Sequence, residues 1–317
     1  MGEQPLPPYG ACLLGSFNWV QYIRHSKFDF DQLQHDIPNV VRMMDNVIDE
    51  TIYPLPEQER EAKHKRRMGL GHTGVANALS FLGHKYGEPS YLEMQDTIME
   101  FIANNVYRSS IALAVEKGPF PLFDADKYPR AEFLYNLDSD IPDLICANGI
   151  RNSHLLSIAP TGTISLTANN ISSGIEPVFS HSYERTIQGV DGPQVETVED
   201  YAYREWHIKG KTADQVTVQE HVDVLTHAQK WVDSSVSKTC NVGGNVSWDE
   251  FKEVYMKAYL GGAKGCTTFR PDGKRFGILK ASSNEDVVDE EVSSDEVTIE
   301  GAACYIDLET GVRTCDS

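Results

Sequence analysis

The sequence lacks the features that mark several large classes of protein. It contains no run of about 18 apolar residues, so it predicts no membrane-spanning helix. Its first residues show no basic segment followed by an apolar one, which argues against a secretory signal peptide. The six cysteines are dispersed and form no CxxC pair, so neither a structural zinc site nor a disulfide scaffold is expected. This cysteine usage is typical of the reducing cytoplasm.

Basic residues are scarce relative to acidic ones. There are 28 Lys and Arg against 47 Asp and Glu, which gives a formal net charge of −19. A surface of this kind repels nucleic-acid phosphates, so the sequence predicts no nucleic-acid partner. Part of the imbalance is local, because residues 285–300 hold eight acidic residues and no basic one. A small anionic substrate is compatible with this charge, because a single pocket lined by backbone N–H groups can bind an anion.

The length and patterning that are present indicate a mixed domain. The 317 residues, 40% of them hydrophobic, suffice for one large or two ordinary domains. Helical spacing of apolar residues predicts helices over about 36–53 and 90–117, and capping boxes at Thr217/Glu220 and Ser247/Glu250 predict two further helix starts. Residues 119–153 are expected to be irregular. The apolar run HLLSIA at 154–159 fits a buried strand, so we expect an α/β or α+β core.

The most distinctive motif is APTGTISLTANNISSGIEPVF, which follows the predicted buried strand. Pro160 fixes the backbone there, and Gly162 lets the backbone approach a ligand closely. The hydroxyls of Thr161, Thr163 and Ser165 can donate hydrogen bonds, which suits a phosphate group. Free N–H groups at a helix start would add to such an anion site. An ordinary capped strand-to-helix turn gives the same pattern, and the Gly-Lys-Ser/Thr of a Walker motif is absent.

Cysteines supply two further candidates. Glu3 lies near Cys12 in the sequence, and a carboxylate beside a thiol could serve as base and redox partner. The alternative is a packed, inert cysteine among glycines. Cys304 and Cys315 lie near the end of the chain, where mobile thiols could exchange with a disulfide elsewhere, or could simply be exposed.

The histidines and the basic run before the second glycine-rich stretch suggest no catalytic site. Ten histidines are scattered without an HxxxH or HExxH pattern. We interpret His72, His154 and His181 as structural or surface residues. The basic run HKRR at 64–67 is interpreted as a solvated helix end.

Five segments stand in one order along the chain and carry a family resemblance. They are GEQPLPPYGACLLGSFNW, RRMGLGHTGVANAL, APTGTISLTANNISSGIEPVF, VSKTCNV and KGCTTFRPDGKR. Over roughly residues 2–280 they resemble the C-terminal half of a ribonucleotide reductase large chain. The resemblance implies an α/β fold, the C-terminal half of a ten-stranded α/β barrel. It also implies three regions: a partial catalytic barrel at 1–280, an acidic flexible linker at 281–300 and a Cys-containing redox tail at 301–317.

The resemblance implies a radical mechanism for making 2′-deoxyribonucleotides, the precursors of DNA. In this family the first motif usually follows Asn-Pro-Cys, whose cysteine forms a thiyl radical. Met1 stands at the position of that cysteine, so we expect half of a split, intein-interrupted or truncated reductase. Glu3 matches the catalytic glutamate, a general base for the 3′-OH proton. Cys12 matches one of two cysteines that supply electrons and end as a disulfide.

The resemblance also assigns the substrate contacts. Gly2 would line the pocket, and the loop that holds the substrate phosphates is matched by Pro160, Thr161, Gly162, Thr163 and Ile164. Cys304 and Cys315 would be tail thiols that re-reduce the active-site disulfide.

The class of reductase follows from one alignment. Reductases that receive a radical from a second subunit carry a Tyr-Tyr dyad before an Asn-Thr-Arg-type stretch. Aligning that arginine with Arg270 puts Gly265 and Cys266 at the dyad, and neither relays a radical as tyrosine does. The chain is therefore most similar to the adenosylcobalamin-dependent class II, whose cofactor generates the radical in place. A class I fragment, or an incomplete fragment that binds a nucleotide or a partner chain, is the alternative.

The resemblance implies a set of partners as well. Adenosylcobalamin would be the cofactor, and a dithiol such as thioredoxin would be the reductant. The expected partners are a ribonucleoside di- or triphosphate, the N-terminal half of the same enzyme and a second copy in a dimer. No metal ligands are assigned within this chain, and a cytoplasmic location is expected.

Overall fold

The computed structural model describes residues 2–189, 192–243, 246–270, 279–281, 304–306 and 313–315. The chain divides into two units, Met1–Ser282 and Ser283–Ser317. The first unit contains helices α1 (Phe30–Glu50), α2 (Pro56–Lys65), α3 (Val75–Phe81), α4 (Pro89–Lys117), α5 (Ile141–Asn148), α6 (Gly162–Thr167), α7 (Tyr201–Trp206), α8 (Val218–Lys230) and α9 (Trp248–Leu260). Its strands are β1 (Leu14–Asn18), β2 (Ile23–Arg24), β3 (Lys27–Phe28), β4 (Gly69–Thr73), β5 (Ser182–Gly189), β6 (Gly192–Glu199), β7 (Thr239–Asn241), β8 (Thr267–Phe269) and β9 (Leu279–Ala281). None of the helices among the described residues combines the length and apolar character that crossing a bilayer requires.

The second unit is described only in two short strands. They are β10 (Cys304–Ile306) and β11 (Arg313–Cys315), and they pair antiparallel with Cys304 opposite Cys315. Apart from Ala281, the predicted linker at 281–300 lies outside the described residues.

Five extended segments of the first unit form a parallel ladder. β1 pairs with β4, from Leu14 opposite Gly69 onward, and isolated parallel bridges then join Leu70 to Leu156 and Ile158 to Val236. The last pair is β7 with β8. The order across the ladder is thus β1, β4, residues 155–158, residues 234–241 and β8. The α/β character that the sequence predicted is confirmed, and HLLSIA at 154–159 lies largely buried within the ladder.

Two glycines of the motif RRMGLGHTG, Gly69 and Gly71, allow β4 to lie close to the neighbouring segment 155–158. A methyl group at Gly69 would overlap the Ser157 hydroxyl, and one at Gly71 would overlap the Ser157 carbonyl oxygen. The backbone of β4 therefore lies against the segment 155–158 at a distance that no larger residue permits. The spacing of these glycines is explained by packing between strands.

Helices pack beside this ladder as the apolar patterns predict. α1 packs against α4, and α4 packs against α8. The predicted long helix is confirmed as Pro89–Lys117, and both capping boxes are present at the starts of α8 and α9. The first helix begins at Phe30, earlier than predicted, because Asp29 caps it by accepting a hydrogen bond from the Gln32 N–H. The prediction of irregular structure over 119–153 was wrong for α5, whose residues Ile141 and Ile145 lie one turn apart and are both buried.

A buried network of ion pairs joins α1 to the residues just before two segments of the ladder, β4 and residues 155–158. Asp45 is fully buried and accepts hydrogen bonds from Arg66 Nε at 2.8 Å, Asn152 Nδ2 at 3.0 Å and Arg151 Nε at 3.2 Å. Arg66 also binds Asp49 on the next turn of α1. The interpretation of residues 64–67 as a solvated helix end was therefore wrong for Arg66, which is only 3% exposed. A fixed network of this kind sets where β4 and residues 155–158 begin.

Replacing Asp45 by Ala should lower the free energy of unfolding by about 3–5 kcal/mol, because Arg66 and Arg151 would lose their buried carboxylate partner and keep only the partly exposed Asp49. Urea unfolding at one protein concentration measures this. The matched control is Glu116→Ala, which breaks an exposed pair with Arg42 and should leave the unfolding midpoint nearly unchanged. Equal losses in the two variants would contradict the assigned role of the network.

The same network predicts a pH dependence. Burial alone would raise the pKa of Asp45, but hydrogen bonds and charges from Arg66 and Arg151 outweigh burial and lower it. A lowered folded-state pKa means that the stabilisation is complete above the ordinary aspartate value of about 3.9. It is lost as the pH falls through the folded-state value. The unaltered chain should therefore have a higher free energy of unfolding than Asp45→Asn at neutral pH. This difference should become smaller only in strong acid.

Candidate active site

The segment Gly2–Gln4 lies across the parallel ladder. The Glu3 carbonyl accepts a hydrogen bond from the Ser235 N–H at 3.0 Å, and Gln4 Nε2 donates to the Met68 carbonyl at 3.2 Å. The Glu3 carboxylate accepts from the Gly2 N–H at 2.9 Å and stays partly exposed. The backbone thus holds Glu3 in place and leaves its carboxylate at the surface, where it can meet a ligand.

Ser235 connects Glu3 to the glycine-containing loop that the sequence singled out. Its N–H donates to Glu3, and its carbonyl accepts from the Ile158 N–H at 3.1 Å. Ile158 lies two residues before Pro160, at the carboxyl end of a parallel segment. Ligands of parallel α/β sheets bind beyond such strand ends. The structure therefore brings Glu3 and the loop 160–164 to one region, which their separation in sequence did not reveal.

Cys12 shares the electrostatic surroundings of Glu3. Burial raises the pKa of the Cys12 thiol, the Glu3 charge raises it further, and Arg67 opposes both. The thiol is exposed and lines a small recess together with Thr51, Tyr53 and Arg67. Because the pKa is raised, Cys12 carries its proton at neutral pH, which is the form that can give up a hydrogen atom.

Arg67 is a site residue that the sequence interpretation missed. It is half-buried beside Cys12, whereas the basic run at 64–67 indicated only a solvated helix end. Burial lowers the pKa of Arg67, and the nearby groups Glu61, Asp233 and Cys12 oppose this effect. The following glycine-rich stretch, which forces close packing of β4, was the one signal that this end of the run enters the core.

The loop Pro160–Ile164 exposes its backbone to solvent, whereas the hydroxyl groups of Thr161 and Ser165 are hydrogen-bonded inside the protein. Gly162, Thr163 and Ile164 are exposed at the start of α6, and nothing lies within 4 Å of where a Gly162 side chain would begin. The first N–H groups of a helix have no partner within the helix, so this backbone offers donors to a ligand. The Ser165 hydroxyl, in contrast, bonds the Gly162 carbonyl and the Ser173 hydroxyl.

Thr161 holds this loop in shape. It has a left-handed backbone with φ +54°, a conformation that few non-glycine residues adopt. Its hydroxyl accepts from the Gly174 N–H at 2.7 Å and hydrogen-bonds with the Thr73 hydroxyl at 2.9 Å. The Thr161 side chain is therefore used internally, and any contact between Thr161 and a phosphate would come from its backbone.

A buried lysine fixes the far end of the ladder to the segment after the loop. Lys238 is 1% exposed, and its ammonium donates to Glu176 at 2.5 Å, to His221 Nδ1 at 2.8 Å and to the Thr239 carbonyl at 2.7 Å. Burial, with the Lys238 charge, lowers the pKa of His221 to about 3, so this ring is neutral. VSKTCNV, a motif quoted without a role, thus supplies a structural charge.

Other residues that the sequence singled out are His72, Met1, Cys304 and Cys315. His72 is buried and accepts a hydrogen bond from Trp19 Nε1 at 3.3 Å, and burial lowers its pKa to about 3, which confirms a structural role. Met1 lies outside the described residues. The backbone positions of Cys304 and Cys315 are paired opposite each other across β10 and β11 within the second unit. Within the described ranges, no group of three or more His, Cys, Asp or Glu residues could hold a metal ion.

Comparison with known proteins bears directly on this geometry. A family model described as "Ribonucleotide reductase, barrel domain" matches residues 2–269. The chain belongs to the ribonucleotide reductase family. The match includes Glu3, Cys12, the loop 160–164 and both ends of the parallel ladder.

Two similar relatives are named vitamin B12-dependent ribonucleoside-diphosphate reductase. The one from Mycobacterium tuberculosis (strain CDC 1551 / Oshkosh) is 29% identical over 309 residues, which covers 89% of this chain and 42% of that protein. The one from Thermoplasma acidophilum is 29% identical over 337 residues, covering 98% of this chain and 42% of that protein. A ribonucleoside-diphosphate reductase subunit alpha from Chlamydia pneumoniae is 26% identical over 304 residues, covering 80% and 29%. This chain spans about two fifths of the length of the first two.

Replacing Thr161 by Val should destabilise the chain by about 1–3 kcal/mol, because the Gly174 N–H would be buried without an acceptor. Urea unfolding reports the loss. Thr161→Ser is the matched control, since it keeps the hydroxyl and should retain most of the stability. The assigned role of the hydroxyl is refuted if Ser and Val cost the same.

Proposed function

We propose that this chain supplies the general base, one redox thiol and the phosphate loop for the radical reduction of ribonucleotides to 2′-deoxyribonucleotides. The observation that carries the proposal is the double hydrogen bonding of Ser235, which joins the Glu3 segment to the strand leading into the loop. Membership of the ribonucleotide reductase family supports it. The relatives that this chain matches are themselves named ribonucleoside-diphosphate reductases.

The proposed chemistry gives each site residue one task. A thiyl radical, carried by a cysteine of the N-terminal half of the enzyme, takes the 3′-hydrogen of the bound ribonucleotide. Glu3 removes the 3′-OH proton as general base, and the 2′-OH leaves as water. Cys12 and a second cysteine provide two electrons and two protons, and they finish joined as a disulfide. The partly exposed carboxylate of Glu3 and the protonated thiol of Cys12 suit these two tasks.

The loop Pro160–Ile164 is proposed to bind the di- or triphosphate. On a molecule with a formal net charge of −19, exposed backbone N–H groups are an appropriate way to bind an anion. Gly162 adds no side chain that would hold a phosphate away, and Thr161 fixes the loop through Thr73 and Gly174. Gly2 would line the same pocket beside Glu3.

The cofactor proposed is adenosylcobalamin, as the names of the relatives suggest. A large cofactor needs open space beside the radical position. Nothing lies within 4 Å of a side chain built at Gly2, and one built at Gly265 would reach the Gly2 carbonyl only at 3.9 Å. Gly2 and Gly265 would therefore border the cofactor, which supplies the initiating radical when bound.

The proposed partners follow from what the chain covers. The curated relatives carry more than half of their length outside the matched region, so we propose that the N-terminal half of the enzyme completes the site. A thioredoxin-like dithiol would re-reduce the disulfide, with Cys304 and Cys315 as relay thiols. Their backbone positions are register partners in β10 and β11. The complete enzyme would be a cytoplasmic homodimer.

The test is deoxynucleotide formation in a mixture of adenosylcobalamin, a dithiol, a ribonucleoside diphosphate and an N-terminal half ending in Asn-Pro-Cys. Glu3→Gln should lower the turnover by about 10²- to 10⁴-fold, the range that a general base contributes. Cys12→Ser should abolish multiple turnovers with a dithiol. Cys146→Ser, on the exposed face of α5, is the matched control and should keep full activity.

Two outcomes would contradict the proposal. If Glu3→Gln and Cys146→Ser turn over equally, Glu3 is not the base. If the halves associate and bind nucleotide but give no product in any mixture, a fragment that only binds nucleotide or its partner chain is favoured instead.

A further inference from the structure

Two cysteines outside the proposed reaction lie in contact. Cys240 belongs to β7, Cys266 directly precedes the paired strand β8, and their sulfur atoms are 3.6 Å apart. Cys240 is fully buried, whereas Cys266 is partly exposed. The two strands pair in parallel with Cys240 opposite Thr268, so Cys266 lies two positions before the residue opposite Cys240.

The surroundings make the two thiols unequal. The hydrogen bond between them, together with burial, raises the pKa of the Cys240 thiol well above its usual range. The same hydrogen bond lowers the pKa of Cys266. The buried ammonium of Lys238 favours the thiolate at both positions, although Glu176 opposes it. A reachable, more acidic thiol beside a buried thiol is the arrangement of an attacking and a resolving cysteine.

We propose that Cys240 and Cys266 are a redox-active pair that closes into a reversible disulfide joining β7 to β8. This site is independent of the reduction of ribonucleotides and uses neither Glu3 nor Cys12. The oxidant it takes is a low-molecular-weight disulfide.

The exchange balances in two steps. The Cys266 thiolate attacks one sulfur of the small disulfide, forms a mixed disulfide and releases one small thiolate. Cys240 then loses its proton, attacks the Cys266 sulfur and expels the second small thiolate. Two protein S–H bonds are replaced by one S–S bond, and the small disulfide is reduced to two thiols.

The approach that the bond needs is small. A disulfide has a sulfur separation of about 2.05 Å, so the two atoms have to close by about 1.5 Å. Gly265 precedes Cys266, and a side chain built there would meet its nearest neighbour at an ordinary contact distance of 3.7 Å. Because that neighbour is Ser235 and the next is the Gly2 carbonyl at 3.9 Å, the pair lies one residue from the border of the proposed active site.

The experiment uses the full chain with Cys12, Cys146, Cys304 and Cys315 replaced by Ser, treated with glutathione disulfide. We expect the intact mass to fall by two hydrogens and to return after treatment with dithiothreitol. Trypsin cleaves after Lys252, Lys257 and Lys264, so a peptide that joins residues 240 and 266 proves the bond. A folded chain that instead keeps a glutathione adduct on Cys266, or does not react, overturns the proposal.

Single replacements in the variant with these four Ser substitutions distinguish the attacking cysteine from the resolving one. With Cys240→Ala, Cys266 should accumulate a stable glutathione adduct, because no second thiol resolves it. With Cys266→Ala, the buried Cys240 should stay unmodified in the folded chain. If the Ser background does not fold, the same peptide mapping is applied to the unaltered chain, where absence of the joined peptide after oxidation equally refutes the pair.

Discussion

The site depends on parallel backbone pairing at one residue. Ser235 donates its N–H to the Glu3 backbone carbonyl, and its own carbonyl accepts from the Ile158 N–H, so the register of one strand fixes both the backbone of Glu3 and the start of the loop that follows Ile158. The glycines of β4 make this possible, because any side chain at Gly69 or Gly71 would push the neighbouring segment away. Placement of the chemistry is therefore a consequence of strand spacing, and the helices serve to hold that spacing.

Charge is distributed to match this arrangement. Two buried charges are paired with opposite charges, Asp45 with Arg66 and Arg151, and Lys238 with Glu176. Paired buried charges fix where strands begin and end, since breaking one leaves its partner desolvated. Cys12 and Glu3, in contrast, remain within reach of solvent, which leaves them available to a substrate. The acidic exterior is consistent with an anion site built from backbone N–H groups.

Several helices of the fold could be predicted from the sequence. The predictions that were wrong or missing have physical causes. The long helix α4 and the capping boxes of α8 and α9 depend on nearby residues, so local patterns revealed them. Glu3, Cys12 and the loop at 160–164 were predicted as site residues from their motifs, and their roles stay a prediction. Arg66 and Arg67 were misjudged, because a basic run predicts a solvated face unless buried carboxylates from another helix are known. The contact between Cys240 and Cys266 was invisible for the same reason, since strand pairing across 26 positions sets it.

The central claim is that Glu3, Cys12 and the loop at 160–164 surround one substrate. Hydrogen exchange, followed by mass spectrometry on the chain mixed with its N-terminal half, tests this most directly. Adding a ribonucleoside diphosphate should slow exchange in residues 2–12 and 162–165 together, while amides of helix α5 stay unchanged. If the nucleotide binds, as equilibrium dialysis would show, and both segments exchange at their original rates, the account is wrong.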